Sequence, residues 1–258
     1  MNRLRMLVPL AGAAASALVL TACGSSGGGG SSAAASGGAQ GGASSSAQSP
    51  TAASSSATSA PAPSRTQLQA INVQAADLPA GYQGKAATPD SDDDDVNAQL
   101  ESCTGVQGAP ESHKVATADS DDFTKGQLTV SSTFSSFQSQ SDVDADVALI
   151  KSPKVNECLN TVFKATLAKS LGSSGTVDSA TIKLTPGSGG GPSNVAALAS
   201  GAVNITAGGQ KTVIYLGVAF ITGPQVGGTL SYVGIGEQLD TATQVSALAA
   251  VAKRAENP

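Results

Sequence analysis

Lys211-Thr212-Val213-Ile214-Tyr215-Leu216-Gly217-Val218-Ala219-Phe220-Ile221-Thr222 is the run that decides the fold. Its apolar residues fall on both parities. Val213, Tyr215, Ala219 and Ile221 take one, and Ile214, Leu216, Val218 and Phe220 take the other. Successive strand side chains point to opposite faces, so this pattern predicts a central strand covered on both sides.

Working outward, the flanking segments read as an antiparallel meander. Gly208-Gly209 is a hairpin turn, because two-residue hairpins favour residues free to take positive φ. Val195 to Thr206 is the strand before it. Gly223 to Gly228 turns the chain again and Thr229 to Ile235 returns. Upstream, Thr176 to Thr185 alternates through Val177, Ile182 and Leu184, and Pro186 to Pro192 forms a Gly-rich loop. Asp240 or Thr241 caps a last helix to Arg254, with Val245, Leu248 and Ala252 inward. Lys253 and Arg254 suit the negative end of its dipole.

Helices precede the meander. Val155, Cys158, Leu159, Val162, Phe163, Thr166 and Leu167 make one helical stripe, with Ser152 as cap, Pro153 at the first position and Gly172 at the end. Ser141-Asp142 opens a shorter helix to Lys151. Before these, Gln127 to Phe137 is a half-buried strand with Leu128, Val130 and Phe134 on one face. Lys114 to Ala118 is a weaker strand, and Asp119 to Gly126 is the turn between the two. Asn97 to Cys103 is helical, with Val96, Leu100 and Cys103 on its apolar side. The segment Leu68 to Gly84 is extended or loosely helical, anchored by Leu78 and Tyr82. The expected fold class is therefore α+β: a central antiparallel β-sheet, a meander, flanked by helices. A single domain is expected over 66–258, preceded by a flexible tether.

The start of the chain gives an address. Arg3 and Arg5 form a positive n-region, Met6 to Leu20 an apolar run, and Ala22 a small residue before a cleavage point. Residues 1–22 thus read as a signal peptide. The run is short for a membrane span, which needs ~20 residues, and Pro9 and Gly12 interrupt it. Leu20-Thr21-Ala22-Cys23 resembles the lipobox of bacterial lipoproteins. The resemblance implies diacylglycerol on the Cys23 thiol, cleavage before it, acylation of the new amino terminus, and attachment to the membrane through lipid. The other reading is an ordinary signal cut after Ala22 with Cys23 as a stray thiol. Two acyl chains suffice for stable anchoring, where one is marginal. Residues 23–65 hold the cysteine and a Gly/Ser/Ala tether. Gly24 to Ser64 has no charged or aromatic residue and cannot repay its ordering entropy. Its expected span is roughly 35 Å.

Cys103 and Cys158 remain. In an oxidising compartment they are expected to pair, contributing roughly 4 kcal/mol in the chain-entropy model. The alternative is two free buried thiols.

Charge and composition exclude several functions. Removing Arg3 and Arg5 from 14 basic residues leaves 12 against 19 acidic, a balance of −7. No basic patch replaces phosphate counterions, so nucleic acid is not an expected partner. Aromatics are 3% with no Trp, which speaks against stacking platforms and against a sugar-binding cleft. His113 is the one histidine, so neither a zinc site nor a hydrolytic triad is expected, and no Gly-x-Ser-x-Gly elbow is present. Gly187 to Pro192 lacks the Lys-Ser/Thr of a phosphate loop. Asp90, Asp92, Asp94 and Glu101 match EF-hand spacing, but Asp95 stands where the turn needs Gly. A solvated helix start is the expectation there. No metal, cofactor or catalytic residue is expected.

The layout carries one further resemblance. Asp77-Leu78-Pro79-Ala80-Gly81-Tyr82, a Cys on a short helix, the Ser131 to Phe137 strand, Cys158 after Ser152-Pro153, then the meander and last helix resemble actinobacterial envelope lipoproteins and receptor-kinase sensor domains, the PknH-type sensor and PsbP-like group. The match spans about 68–254. It implies a helix-flanked antiparallel sheet with a ligand cleft; signalling is not carried over, and no contact residue is transferred. The functional expectation is a tethered, non-catalytic ligand-binding or sensing domain on the extracytoplasmic face of the cell membrane. A pocket lined by Tyr215, Phe220 and Tyr232 would favour it, with a small apolar ligand. The alternatives are a structural or partner-docking envelope protein, or a lipid carrier.

Overall fold

The computed structural model describes residues 61–87, 93–187 and 191–258. The central run is strand β7 (Gln210–Gly223), and it lies inside an eight-stranded antiparallel sheet. The sheet runs β1 (Gln83–Ala86), β3 (Asp121–Lys125), β4 (Leu128–Phe137), β8 (Val226–Ile235), β7, β6 (Val195–Ala207), β5 (Gly175–Pro186). β2 (Lys114–Asp119) also pairs with β4, beyond β3 on the same edge.

Among the described residues five α-helices accompany the sheet: α1 (Arg65–Ile71), α2 (Asp93–Thr104), α3 (Gln140–Ile150), α4 (Val155–Leu171) and α5 (Thr241–Ala255). β7 parity assigns the two faces. Ile214, Leu216, Val218 and Phe220 enter one core with the stripes of α2 and α4, while Ala219 and Ile221 enter a second with α1 and α5. Burying each such aliphatic or aromatic side chain contributes about 1.5–3 kcal/mol, which is why β7 fixes the layers.

Gly208 and Gly209 take φ of 57° and 79°, the positive values of a type I′ hairpin. The next hairpin is tighter than the sequence suggests. β8 starts at Val226 and the turn is Pro224-Gln225, with Gln225 at φ 56°. Proline presets the first central residue, and Gln225 takes the left-handed position that usually goes to Gly.

Four sequence expectations need correction. Asp119 to Gly126 is mostly strand β3, not a turn. Only Phe123 in it points to the core, so the alternation is one residue deep. Ser120 breaks β2 from β3, and its hydroxyl accepts Ser132 N–H at 2.9 Å. The N-terminal segment holds a real helix: Ser64 caps α1, with reciprocal hydrogen bonds to Gln67. α3 starts at Gln140, because the Asp142 carboxylate reaches back to Ser139 N–H at 3.1 Å. α4 starts at Val155, whose N–H bonds the Ser152 carbonyl at 3.0 Å, so Ser152 and Pro153 form the turn before it.

Two devices hold the elements in place. Asn156 and Asn160 sit one helical turn apart on α4. Each side-chain amide makes paired bonds to the outer backbone of β5, at Leu184 and Ile182 respectively, at 2.6–3.2 Å. The rise of four helical residues, about 6.0 Å, matches two strand residues, about 6.6 Å, so the helix reads the strand edge in step. That occupies an edge open to another strand. On the other face Arg254 makes a bidentate pair with Asp77 at 2.6 and 3.0 Å and also donates to the Ile71 and Asn72 carbonyls. This ties the start of the fold to its end.

Candidate functional site

The two faces of the sheet are not covered alike. α2, α3 and α4 cover one face along its length. α1 and α5 cover the other only from β2 and β4 across to β7, because the turn after β8 sends α5 back beside β7. β6 leaves Ser200 and Asn204 exposed on the uncovered half. At the border lies a cleft of about 360 Å³.

Its floor comes from strand register. Gly217 pairs with Tyr232 and Tyr215 with Gly234, so each tyrosine lies across from a glycine. A side chain at Gly217 would meet the Tyr232 ring at 3.3 Å, which shows how closely that ring lies over the strand. Thr181, Ser200 and Ala202 extend the floor across β5 and β6. The wall is Gln238, Leu239 and Gln244, from the loop and first turn of α5. Asp240 caps α5 by accepting from the Thr243 N–H at 2.9 Å and hydroxyl at 2.6 Å. Tyr232 donates its hydroxyl to the Gln244 carbonyl at 3.1 Å, and the Gln244 amide donates to the Leu239 carbonyl at 2.8 Å. The wall is therefore fixed to the floor. Burial raises the Tyr232 phenol well above its ordinary value, so it is a neutral donor.

Of the three aromatics expected to share a pocket, two do. Phe220 lies on the opposite face, in the α4 core. Gln238 and Gln244 were not marked by the sequence, because nothing in α5 alone says which turn borders the sheet.

Other expected residues fall as follows. Cys103 and Cys158 form the disulfide, with Cα atoms 5.7 Å apart, and it joins α2 to α4. Cys158 is buried, but Cys103 is exposed at the rim of the α2–α4 contact, not on an apolar side. Cys23, the signal and nearly all of the tether lie outside the described residues. Of the calcium-spaced set, Asp90 and Asp92 also lie outside them, and Glu101 accepts from Gly108 N–H at 2.9 Å. Among the described residues no His, Cys, Asp and Glu cluster could hold a metal, and no helix is long and apolar enough to cross a membrane.

His113 is not a bare loop residue. It closes a 3₁₀ turn, and its Nδ1 lies 2.8 Å from Asp142 Oδ1, while Ser139 Oγ donates to the other carboxylate oxygen at 2.6 Å. Burial pushes the Asp142 carboxyl up, but the bonds from Ser139 and His113 outweigh it and hold it below its ordinary value. The order Ser–Asp–His is wrong for a nucleophile, since a triad needs the imidazole between hydroxyl and carboxylate. The group works as a helix cap. One turn on, Asp146 accepts from Ala109 N–H at 2.7 Å. Burial raises its carboxyl to about 6, against the lowering effect of that bond and of Lys114; the Glu101 and Asp142 charges add to the rise.

No family model, no curated protein and no solved structure matches this chain.

Proposed function

We propose that the chain is an envelope lipoprotein of the actinobacterial type, anchored through lipid on Cys23, that presents a non-catalytic domain binding a small ligand. The observation that carries the binding reading is the cleft at Tyr215 and Tyr232. It falls within the ~300–1,000 Å³ of small-molecule sites and sits where a helix wall meets an open sheet. The lipobox and the uncharged tether support presentation at the extracytoplasmic face of the membrane. The disulfide suits an oxidising compartment. Partner docking draws little support, because among the described residues the exposed large apolar side chains are Val115 and Val245, on separate elements. A lipid carrier would need a cavity several times larger.

The test is mass spectrometry on the full chain extracted from membranes in detergent. The expected amino-terminal peptide begins at Cys23 and carries diacylglycerol, and native spectra show a bound small molecule. An unlipidated terminus sinks the anchor. An empty protein that also shows no saturable binding to any small molecule sinks the binding reading.

A further inference from the structure

We propose that the Tyr215–Tyr232 cleft binds an uncharged, hydroxyl-rich ligand, of which a neutral oligosaccharide is the fitting class. The inference rests on the binding reading above and narrows it.

Charge is the first argument. None of the residues lining the cleft is Asp, Glu, Lys, Arg or His, although the domain around it is strongly acidic. A charged ligand would leave water here and meet no counter-charge among the lining residues, which is costly.

Polarity is the second. An apolar ligand would cover the Thr181 and Ser200 hydroxyls and the Gln238 and Gln244 amides without replacing their water bonds. Each donor or acceptor so stranded costs about 1–3 kcal/mol. A polyol offers both donors and acceptors, and so do hydroxyls and primary amides.

Shape is the third. Tyrosine joins an apolar ring face to a hydrogen-bonding edge. A sugar ring is the complement, with an apolar C–H face bordered by hydroxyls. The Tyr–Gly checkerboard of β7 and β8 leaves a flat floor between small residues, and Ala202 and Gly217 keep it low. The floor continues onto the open sheet face at Ser200 and Asn204, so a chain of sugars has room to run on over polar side chains, with Lys183 across the strands from Ser200.

The test uses the lipidated full chain in a detergent without a sugar headgroup. Calorimetric titrations use cellotriose, maltotriose and mannotriose, with palmitate and inositol hexakisphosphate as apolar and anionic comparators. The expected result is saturable binding of a trisaccharide and none of the comparators. Tyr215→Ala weakens it about tenfold or more. Ala202→Leu, which fills the floor from the strand position paired with Tyr215 while leaving both tyrosines in the chain, does the same and covers the case in which Tyr215→Ala misfolds. Palmitate or inositol hexakisphosphate binding that these variants abolish overturns the ligand class and leaves the binding domain standing. Trisaccharide binding indifferent to both variants overturns the site. No saturable binding of any probe overturns the ligand class; the binding reading falls with it only where the native spectrum of the extracted chain is empty as well.

Discussion

The two faces of one sheet have been finished differently. The face under α2, α3 and α4 is closed: a disulfide joins two of its helices, and asparagine amides clamp its outer strand. The face under α1 and α5 is closed over half its width and left open over β5 and β6, where the cleft lies. On the proposed binding reading, the cross-links and the recognition cleft occupy opposite sides of β7. The difference teaches that a small domain can leave half a sheet face open when the other face carries the cross-links.

The largest expected effect comes from the closed face. Replacing Cys103 and Cys158 together by Ala removes a bridge across 55 residues, at a cost of roughly 4 kcal/mol of unfolding free energy, read by denaturant titration. The cleft should keep its ligand at temperatures where the variant is folded. Equal loss of binding there would break the division of labour between the faces.

Asp146 gives the next effect. Its carboxyl rises on folding from 3.8 to about 6, so the folded state holds the proton more tightly. That contribution to stability is complete below about pH 4 and is lost as pH rises through about 6. It amounts to at most ~3 kcal/mol. Asp146→Asn keeps an acceptor for Ala109 N–H and should flatten this part of the curve of melting temperature against pH. A wild-type curve that already lacks a fall between pH 4 and 7 would contradict the burial argument.

Asn160→Ala leaves the Ile182 N–H and C=O without their amide partner, at about 1–3 kcal/mol. Hydrogen exchange at Ile182 should speed up, and the freed edge should promote self-association at high concentration. Unchanged exchange would mean the clamp does not hold in solution. The smallest effect belongs to the half-open face: Val245 is exposed on α5, so Val245→Ser should stay within ~0.5 kcal/mol of wild type. A larger loss would show that this side of α5 is covered after all.

That last residue shows how much of the fold was legible. Of the expected inward residues Val245, Leu248 and Ala252, Ala252 is buried and Leu248 half-buried against the core, but Val245 is exposed, and the helix centres its buried face on Ala247, Val251 and Ala255. Small residues let α5 lie close over the bulky sheet side chains Leu230 and Ile221, a choice set by the partner and not by the helix. Strand β7, the Gly208-Gly209 hairpin and the α4 stripe were readable because each signal is local and repeats. β3 was not, since one phenylalanine among four polar residues carries no period. The cleft was half readable. Tyr215 and Phe220 are an odd number of positions apart in one strand, so parity already excluded Phe220 from the face of Tyr215. Bringing Tyr232 beside Gly217 needed the register of two strands, and placing Gln244 needed the docking of α5.

The pairing of Arg254 with Asp77 has a mechanical consequence. A pull on the chain ahead of Ser64 enters α1 and passes at once, through that ion pair and the Ile71 and Asn72 carbonyls, into the C-terminal end of α5. The cleft stands at the other end of α5, a 15-residue helix about 22 Å long. Load applied ahead of Ser64 thus enters at one pole of the domain, and Tyr232 and Gln244 stand at the opposite pole.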